Sequence, residues 1–413
     1  DSCAIALRFS VDELIGSEGL TCDDEGRELV EMLSELPDLW DVNISAWEND
    51  SATSRFKPAG YQENYIDFVK RVTNKPVVGV GRYTSPDAMV SLIRNGVLDF
   101  IGAARPSIAD PFLPRKIEEG RIDDIRECIG CNICVSGDNS YVPIRCTQNP
   151  TMGEEWRKGW HPERIAPAHA VQSVLIIGAG PAGLEAARAL GQRGYRVTLA
   201  EKAQQPGGRL TLERQLPGLA EWGRVVDHRT YRISQMTNVN MFLESTMTEQ
   251  DVLEFGADHI CIATGSNWSL DGTGLENPRG ITIEPDAKLI SPTAIMAGQR
   301  PTGPVVIFDD DHYYMGGVVA ELLVKEAAVF LPSGSMCNEI AIAIHCRPGD
   351  EVLCDKTCHI LNFEAGGPAA LSGVVLGTLE GDLGRFTAEQ LRSAVRGKSR
   401  YAPKTRLVSV EQT

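Results

Sequence analysis

The chain lacks any excess of basic charge: 40 Lys and Arg stand against 56 Asp and Glu, a formal net charge of -16. A protein that grips a nucleic-acid backbone needs a basic face, so this balance argues against nucleic acid, and against an anionic membrane surface, as a partner. No apolar run approaches the ~20 residues that span a bilayer. No secretory leader is visible, and the 11 Cys are odd in number, which argues against a secreted disulfide scaffold. A reducing, cytoplasmic setting is expected instead. Disorder is excluded by composition, 42% hydrophobic and 23% charged. Glycine is plentiful, 40 of 413 residues, and leans toward α/β folds with tight turns and cofactor loops. Asp1-Ser2-Cys3 runs straight into an apolar strand-like stretch and Val408–Thr413 ends in another. The chain is therefore expected to be cut at both ends.

Apolar runs at Cys3–Phe9, Leu39–Ile44, Pro76–Val80 and Val97–Ile101 predict short buried strands, and 25–35, 61–72 and 86–94 predict helices between them. Ser85-Pro86 is a helix start with Pro at N1. This rhythm means parallel βα units, about four of them, which suit half of an eight-fold barrel or a small open sheet equally well. Residues 118–170 break the rhythm with Cys, Pro, Gly and Trp, as a cofactor-carrying segment and linker. Residues 171–322 return to α/β, with strands at Val174–Ile177, Arg196–Ala200, Ile260–Ala263 and Val305–Phe308. Residues 323–413 follow a pattern of their own, with a helix over 338–345 and a strand over 351–354.

Cys128, Cys131 and Cys134 form a C-x-x-C-x-x-C run, and Cys146 follows after eleven residues. Three thiolates at that spacing can wrap one face of a cubane while a returning loop supplies the fourth, the ligation of a [4Fe–4S] cluster. Zinc is the alternative, although zinc sites made of four cysteines use two separated C-x-x-C knuckles. Further on, Gly178-Ala179-Gly180-Pro181-Ala182-Gly183 lies between a strand and a helix, and Glu201 ends the next strand. Gly178 suits the tight turn, Gly180 the approach of a pyrophosphate, Gly183 close helix packing, and Glu201 the ribose hydroxyls. Ala263-Thr264-Gly265 resembles the second short motif of flavin and pyridine-nucleotide disulfide reductases, which closes over the adenine nucleotide. A second fingerprint is missing where it is expected: Val305–Phe308 is followed by Asp309-Asp310-Asp311-His312-Tyr313-Tyr314, without glycines.

Val80-Gly81-Arg82-Tyr83-Thr84, Ala104–Pro111, the cysteine motif, Cys146-Thr147-Gln148-Asn149 and Gly159-Trp160-His161-Pro162 carry a resemblance. Residues 1–322 resemble the trimethylamine/dimethylamine/histamine dehydrogenase family, iron–sulfur flavoproteins related to old yellow enzyme and 2,4-dienoyl-CoA reductase. The resemblance implies the C-terminal half of a TIM barrel (1–117), the cluster segment (118–170) and a Rossmann-like domain holding ADP or an FAD-type adenine nucleotide (171–322). It implies FMN, with Arg82, Arg105, Gly81 and Ala104 at its phosphate and Arg8 beside its pyrimidine ring. Asp50 matches the carboxylate of the family's Tyr-His-Asp arrangement, and Trp47 an aromatic wall for an alkylammonium. Asp138 stands where trimethylamine dehydrogenase has a second Trp, and it suits either a less-methylated ammonium or a plain solvated loop. The implied activity is oxidation of a small amine, with electrons passing through the cluster to an electron-transferring flavoprotein. The implied enzyme is a homo-oligomer. A 2,4-dienoyl-CoA-reductase-like NADH:flavin oxidoreductase is the alternative. The family's first four βα units, with its Tyr, its His and the Cys that bonds flavin, are expected before residue 1.

Residues 324–413 resemble another family. Glu326–Asn338, Arg347–Val352 and His359–Gly367 are similar to low-specificity threonine aldolase / aromatic amino acid β-eliminating lyase, a fold-type I PLP enzyme. That implies Gly334 and Ser335 at the PLP phosphate and His359 stacked on its ring. The Schiff-base lysine is expected beyond residue 413, because Lys356 and Lys398 match nothing catalytic. The expectation is a truncated chimera of two enzymes, joined near 322–326 and inactive as written.

Overall fold

The computed structural model describes residues 3–45, 47–157, 161, 164–274, 277–284, 286–310, 313–324, 334–382, 384–396 and 402–410. Its contacts divide the chain into two units, Asp1–Leu322 and Leu323–Thr413.

The first unit begins with a parallel sheet of β1 (Ala6–Ser10), β2 (Leu39–Asn43), β3 (Val77–Gly79) and β4 (Phe100–Ile101), in that order. Strand alternation decides its two faces. Leu7, Trp40 and Val77 share a register row, and Trp40 and Val77 are buried beneath the helices with Val42, Ile66 and Leu92. Arg8, Asp41, Val78 and Phe100 share the opposite face. The helix Pro86–Arg94 starts where Pro86 predicts it. The helix predicted over 61–72 is instead two, Glu63–Ile66 and Val69–Val72, with Phe68 between them buried in the core.

The second sheet contains β5 (Ser173–Ile177), β6 (Arg196–Ala200), β7 (Val239–Phe242) and β8 (His259–Ile262), all parallel in the order β7-β6-β5-β8. Its core of Val174, Ile176, Leu184 and Leu199 also takes in Ile129 and Cys131, so the cysteine segment packs on the nucleotide-type fold. The predicted strand Val305–Phe308 is not one. Those residues form no ladder, and Val306 is 94% exposed. A β-branched run becomes a strand only where a neighbouring strand pairs with it, and no described strand pairs with these residues.

A polar junction joins the two folds. Lys116 and Asp110, both fully buried, pair at 2.7 Å, and Lys116 also donates to the Asp124 carbonyl at 2.8 Å. Burying such a pair is tolerable only because further hydrogen bonds satisfy both partners. Asp110, for instance, accepts from the Arg126 amide at 2.8 Å. His228, on the helix Arg224–Ser234, lies close to the same cations.

The second unit holds β9 (Asp350–Asp355), β10 (Val375–Leu379) and β11 (Lys404–Val408), parallel and in the order β10-β9-β11. Val352 and Cys354 of β9 pack with Ile342, Ile360 and Val374. Among the described residues no helix is long and apolar enough to cross a membrane.

Burial, and then the charges of Arg126, Arg229, Lys116 and Arg188, push the His228 imidazole down to about 2. The unfolded chain, with an ordinary histidine near 6.5, then binds the extra proton between those values, so stability rises with pH across that window and falls on acidification. His228 is expected to cost the fold about 2 kcal/mol at pH 5 and almost nothing at pH 7. Urea midpoints of wild type and His228→Phe at the two pH values measure this, and the substitution should flatten the difference.

Candidate functional site

The cysteine segment threads between the two sheets of the first unit. Gly130 donates its amide to the Cys128 sulfur at 3.3 Å, and Gln148 donates its own to the Cys146 sulfur at 3.3 Å. The Cys131 sulfur lies 3.3 Å from the Thr147 hydroxyl. Burial pushes the Cys128 thiol up to about 11, Cys131 adds to the rise, and the Gly130 amide, Arg105 and Arg82 oppose it. Burial, then Cys128 and Cys131, raise Cys134. Burial raises Cys146, with Cys131 and Cys134 adding to it. The four thiols therefore share one neighbourhood, and Cys128, Cys134 and Cys146 are harder to ionise, through burial first and their thiol neighbours second. A bound cationic centre reverses that logic and deprotonates them. Among the described residues no three His, Cys, Asp or Glu side chains sit close enough to hold one metal ion. A zinc ion, with Zn–S bonds of about 2.3 Å, requires that closeness. A cubane carries its irons at separate corners and spreads its ligands further apart.

The residues expected beside a flavin fall into two groups. Arg8 and Asp50 come together at 3.6 Å, beside Asp41 at 3.5 Å from Arg8, and Gln62 donates to Asp50 at 2.9 Å. Arg82 and Arg105 face the cysteine loop. Arg82 is fully buried, pairs with Glu221 and donates to the Lys57 carbonyl at 2.9 Å. Its Nε is a buried donor without an acceptor, which an anionic group would satisfy. Arg105, in the helix Ala104–Ala109, donates to the Ser51 and Ala52 carbonyls and to Asn132 at 2.6 Å. Gly81 accepts from the Gly60 amide at 2.7 Å and faces the Tyr83 ring. Asp138 is exposed on the helix Ile133–Asn139. Trp47 opens the short helix Trp47–Asp50, and its side chain lies outside the described residues.

The glycine loop is built as its spacing predicts. Gly178 turns with φ +100°, and a side chain at Gly183 would collide with the Gly178 carbonyl. The helix Pro181–Gln192 starts at Gly180. Glu201, 7% exposed, accepts from the Ala179 amide at 2.6 Å and the Ala203 amide at 2.8 Å, and so braces the loop itself. Beside it lies an open cavity of about 540 Å³ lined by Ala203, Gln204, Gln205, Gly208 and Thr211. Gly265, just beyond β8, adopts φ +83° with open space around it.

Several residues that grip the cysteine loop carry no sequence signature. Arg224 donates to the Cys128 carbonyl at 3.0 Å and pairs with Glu127 at 2.9 Å. Tyr313 and Tyr314 both donate to the Cys131 carbonyl, at 3.0 and 3.2 Å. The segment expected to mark a lost nucleotide fingerprint thus backs the cysteine site. In the second unit His359 faces Glu364 at 3.0 Å and keeps half its ring exposed. Gly334 and Ser335 open the helix Gly334–His345, and their side chains lie outside the described residues, as does Lys398 entirely. Lys356 pairs with Glu380.

Three family models match the chain: the NADH:flavin oxidoreductase / NADH oxidase family over residues 1–124, pyridine nucleotide-disulphide oxidoreductase over 172–289, and β-eliminating lyase over 306–413. Dimethylamine dehydrogenase of Hyphomicrobium sp. (strain x) is 44% identical over 338 residues, covering 78% of this chain and 45% of the relative. The solved histamine dehydrogenase of Rhizobium sp. 4-9 is 49% identical with a TM-score of 0.75, covering 91% of this chain and 53% of that one. The 6-hydroxypseudooxynicotine amine oxidase of Pseudomonas geniculata N1 is 53% identical with a TM-score of 0.76, covering 79% and 49%. The chain thus spans about half the length of the relatives it matches.

Gly183→Ala places a methyl group against backbone that cannot yield. It is expected to cost about 1–3 kcal/mol of stability, as measured by the urea midpoints of wild type and variant.

Proposed function

We propose, from the resemblance of residues 1–322 to the trimethylamine/dimethylamine/histamine dehydrogenase family, that this part of the chain is the cluster and nucleotide portion of an FMN-dependent amine dehydrogenase. The observation that carries the reading is the set of four thiols, Cys131 buried and Cys128, Cys134 and Cys146 partly so, that share one neighbourhood beside the buried Arg82 and the half-buried Arg105. Cys128, Cys131, Cys134 and Cys146 would hold a [4Fe–4S] cluster, Arg82 and Arg105 the flavin phosphate, and Arg8 the flavin ring. When bound, FMN supplies a two-electron acceptor and the cluster a one-electron outlet. Asp50, held by Gln62 and Arg8, keeps a carboxylate where a small ammonium substrate is to be received, with Trp47 and Asp138 as its further walls. The loop Gly178–Gly183, with Glu201 and Gly265, would hold an adenine nucleotide in a structural role. An electron-transferring flavoprotein is the proposed acceptor. A reductase fed by nicotinamide is less well supported, because Val305–Phe308 forms no strand and Tyr313 and Tyr314 turn to the cysteine loop.

The second unit is proposed as part of a PLP-dependent lyase, with Gly334, Ser335 and His359 toward that cofactor. Two enzymes with unrelated architectures, joined inside the helix Met315–Val324 without a spacer, support a chimera. Amplification across codons 322–326 from source DNA is expected to fail, and an uninterrupted product from several isolates would refute the chimera.

Anaerobically purified protein is expected to hold about four irons per chain and to show a broad brown absorbance that dithionite bleaches. Zinc in place of iron would overturn the assignment. The 413 residues alone are expected to give no amine-dependent dye reduction, and a measurable rate would contradict that.

A further inference from the structure

Three of the four cysteines sit within seven residues of one another, so local backbone largely sets their spacing. Cys146 is different. It lies on a stretch, 143–149, that has neither helix nor strand, so tertiary contacts must place it. Two neighbours anchor that stretch in opposite directions. Asn149 donates to the Ile108 carbonyl at 3.0 Å, on the half-barrel side. Gln148, 1% exposed, uses its whole amide on the other side. Its backbone N–H donates to the Cys146 sulfur at 3.3 Å, and its Nε2 donates to the Glu127 carbonyl at 3.0 Å, next to the first cysteine. Its Oε1 accepts from Arg229 Nη1 at 2.9 Å.

Arg229 belongs to the helix Arg224–Ser234 of the nucleotide-type fold, and its side chain is 5% exposed. Its Nε donates to Glu185 at 2.8 Å, and its other donors reach the Val225 and Thr147 carbonyls at 3.0 and 3.5 Å. Glu185 is held in turn by Arg188 at 2.6 Å. A planar guanidinium with its donors fixed by buried partners is a rigid strut, and a flexible ammonium would not reproduce it. In buried surroundings each member of such a chain orients the next.

We propose that Arg229 and Gln148 are positioning residues for Cys146: the buried chain Glu185–Arg229–Gln148 sets where the fourth thiolate stands, so the nucleotide-type fold completes a cluster whose other three ligands are local. This rests on the cluster reading given above. Without the strut the fourth corner loses its ligand while the other three stay held. A cluster bound there would then lose its unheld iron as Fe2+, and oxygen would take the one further electron that leaves an oxidised three-iron cluster.

The test compares the wild-type chain with two variants, Gln148→Met and Arg229→Met, the second of which leaves Glu185 paired with Arg188. Iron per chain, low-temperature electron paramagnetic resonance of the air-oxidised protein and far-ultraviolet circular dichroism are recorded for each. The wild type is expected to hold a four-iron cluster that is silent when oxidised. Both variants are expected to keep the wild-type dichroism, lose about one iron in four, and gain the signal of an oxidised three-iron cluster. Silent, fully loaded clusters in both variants would show that the strut does not place Cys146. Parallel loss of all iron and of dichroism would also overturn the proposal, because the residues would then hold the fold and not one ligand. A wild type without iron would instead overturn the cluster reading, and the inference with it.

Discussion

Four thiols gathered in one neighbourhood, wholly or partly withdrawn from solvent, are the constraint around which the first unit is arranged. Burial and the neighbouring thiols make Cys128, Cys134 and Cys146 resist ionisation. The surrounding protein answers with donors and cations. Backbone amides of Gly130 and Gln148 point at two of the sulfurs, and Arg82 and Arg105 lie beside Cys128. These groups favour thiolates, and a bound cationic centre would complete the compensation. Both sheets contribute: the half-barrel supplies Arg82 and Arg105, and the nucleotide-type fold supplies Glu221, Arg224 and Arg229. Residues 128–149 are therefore less a linker than the shared floor of two folds.

That arrangement explains the amount of charge buried at the junction. Lys116, Asp110, Glu185, Arg188 and Arg229 would each be costly alone, and each is tied to a partner. His228, next to them, is held neutral by burial first and by the neighbouring positive charges second. A polar junction of this kind tolerates few errors of register, which suits a site where two separately folded pieces must meet at one loop.

Much of the fold was legible in the sequence. The strands around Ala6, Leu39, Val77, Val174 and Arg196 and the helices at Pro86 and Pro181 follow from apolar runs, proline at N1 and glycine spacing. Those signals are local, and local physics carries them into the structure. The failure at Val305–Phe308 has the opposite cause: its composition suits a strand, but pairing is supplied by a neighbour that a residue run cannot show. The supports of the cysteine loop were not legible either. Arg224 meets Cys128 across 96 positions, Arg229 meets Gln148 across 81, and Tyr313 meets Cys131 across 182. An isolated arginine or tyrosine has no spacing that marks it.

The sequence by itself carried the four-cysteine spacing, the glycine turn and the likeness of the last part of the chain to a second family, because each is written in residue types at short, fixed intervals. Tertiary structure alone decided that Glu201 braces its own loop through backbone amides, and that Arg82 turns toward the cysteines. It likewise decided that Cys146 is held from the nucleotide-type fold. Those outcomes depend on which buried donors lack acceptors once two sheets are brought together, and only packing of distant segments sets that balance.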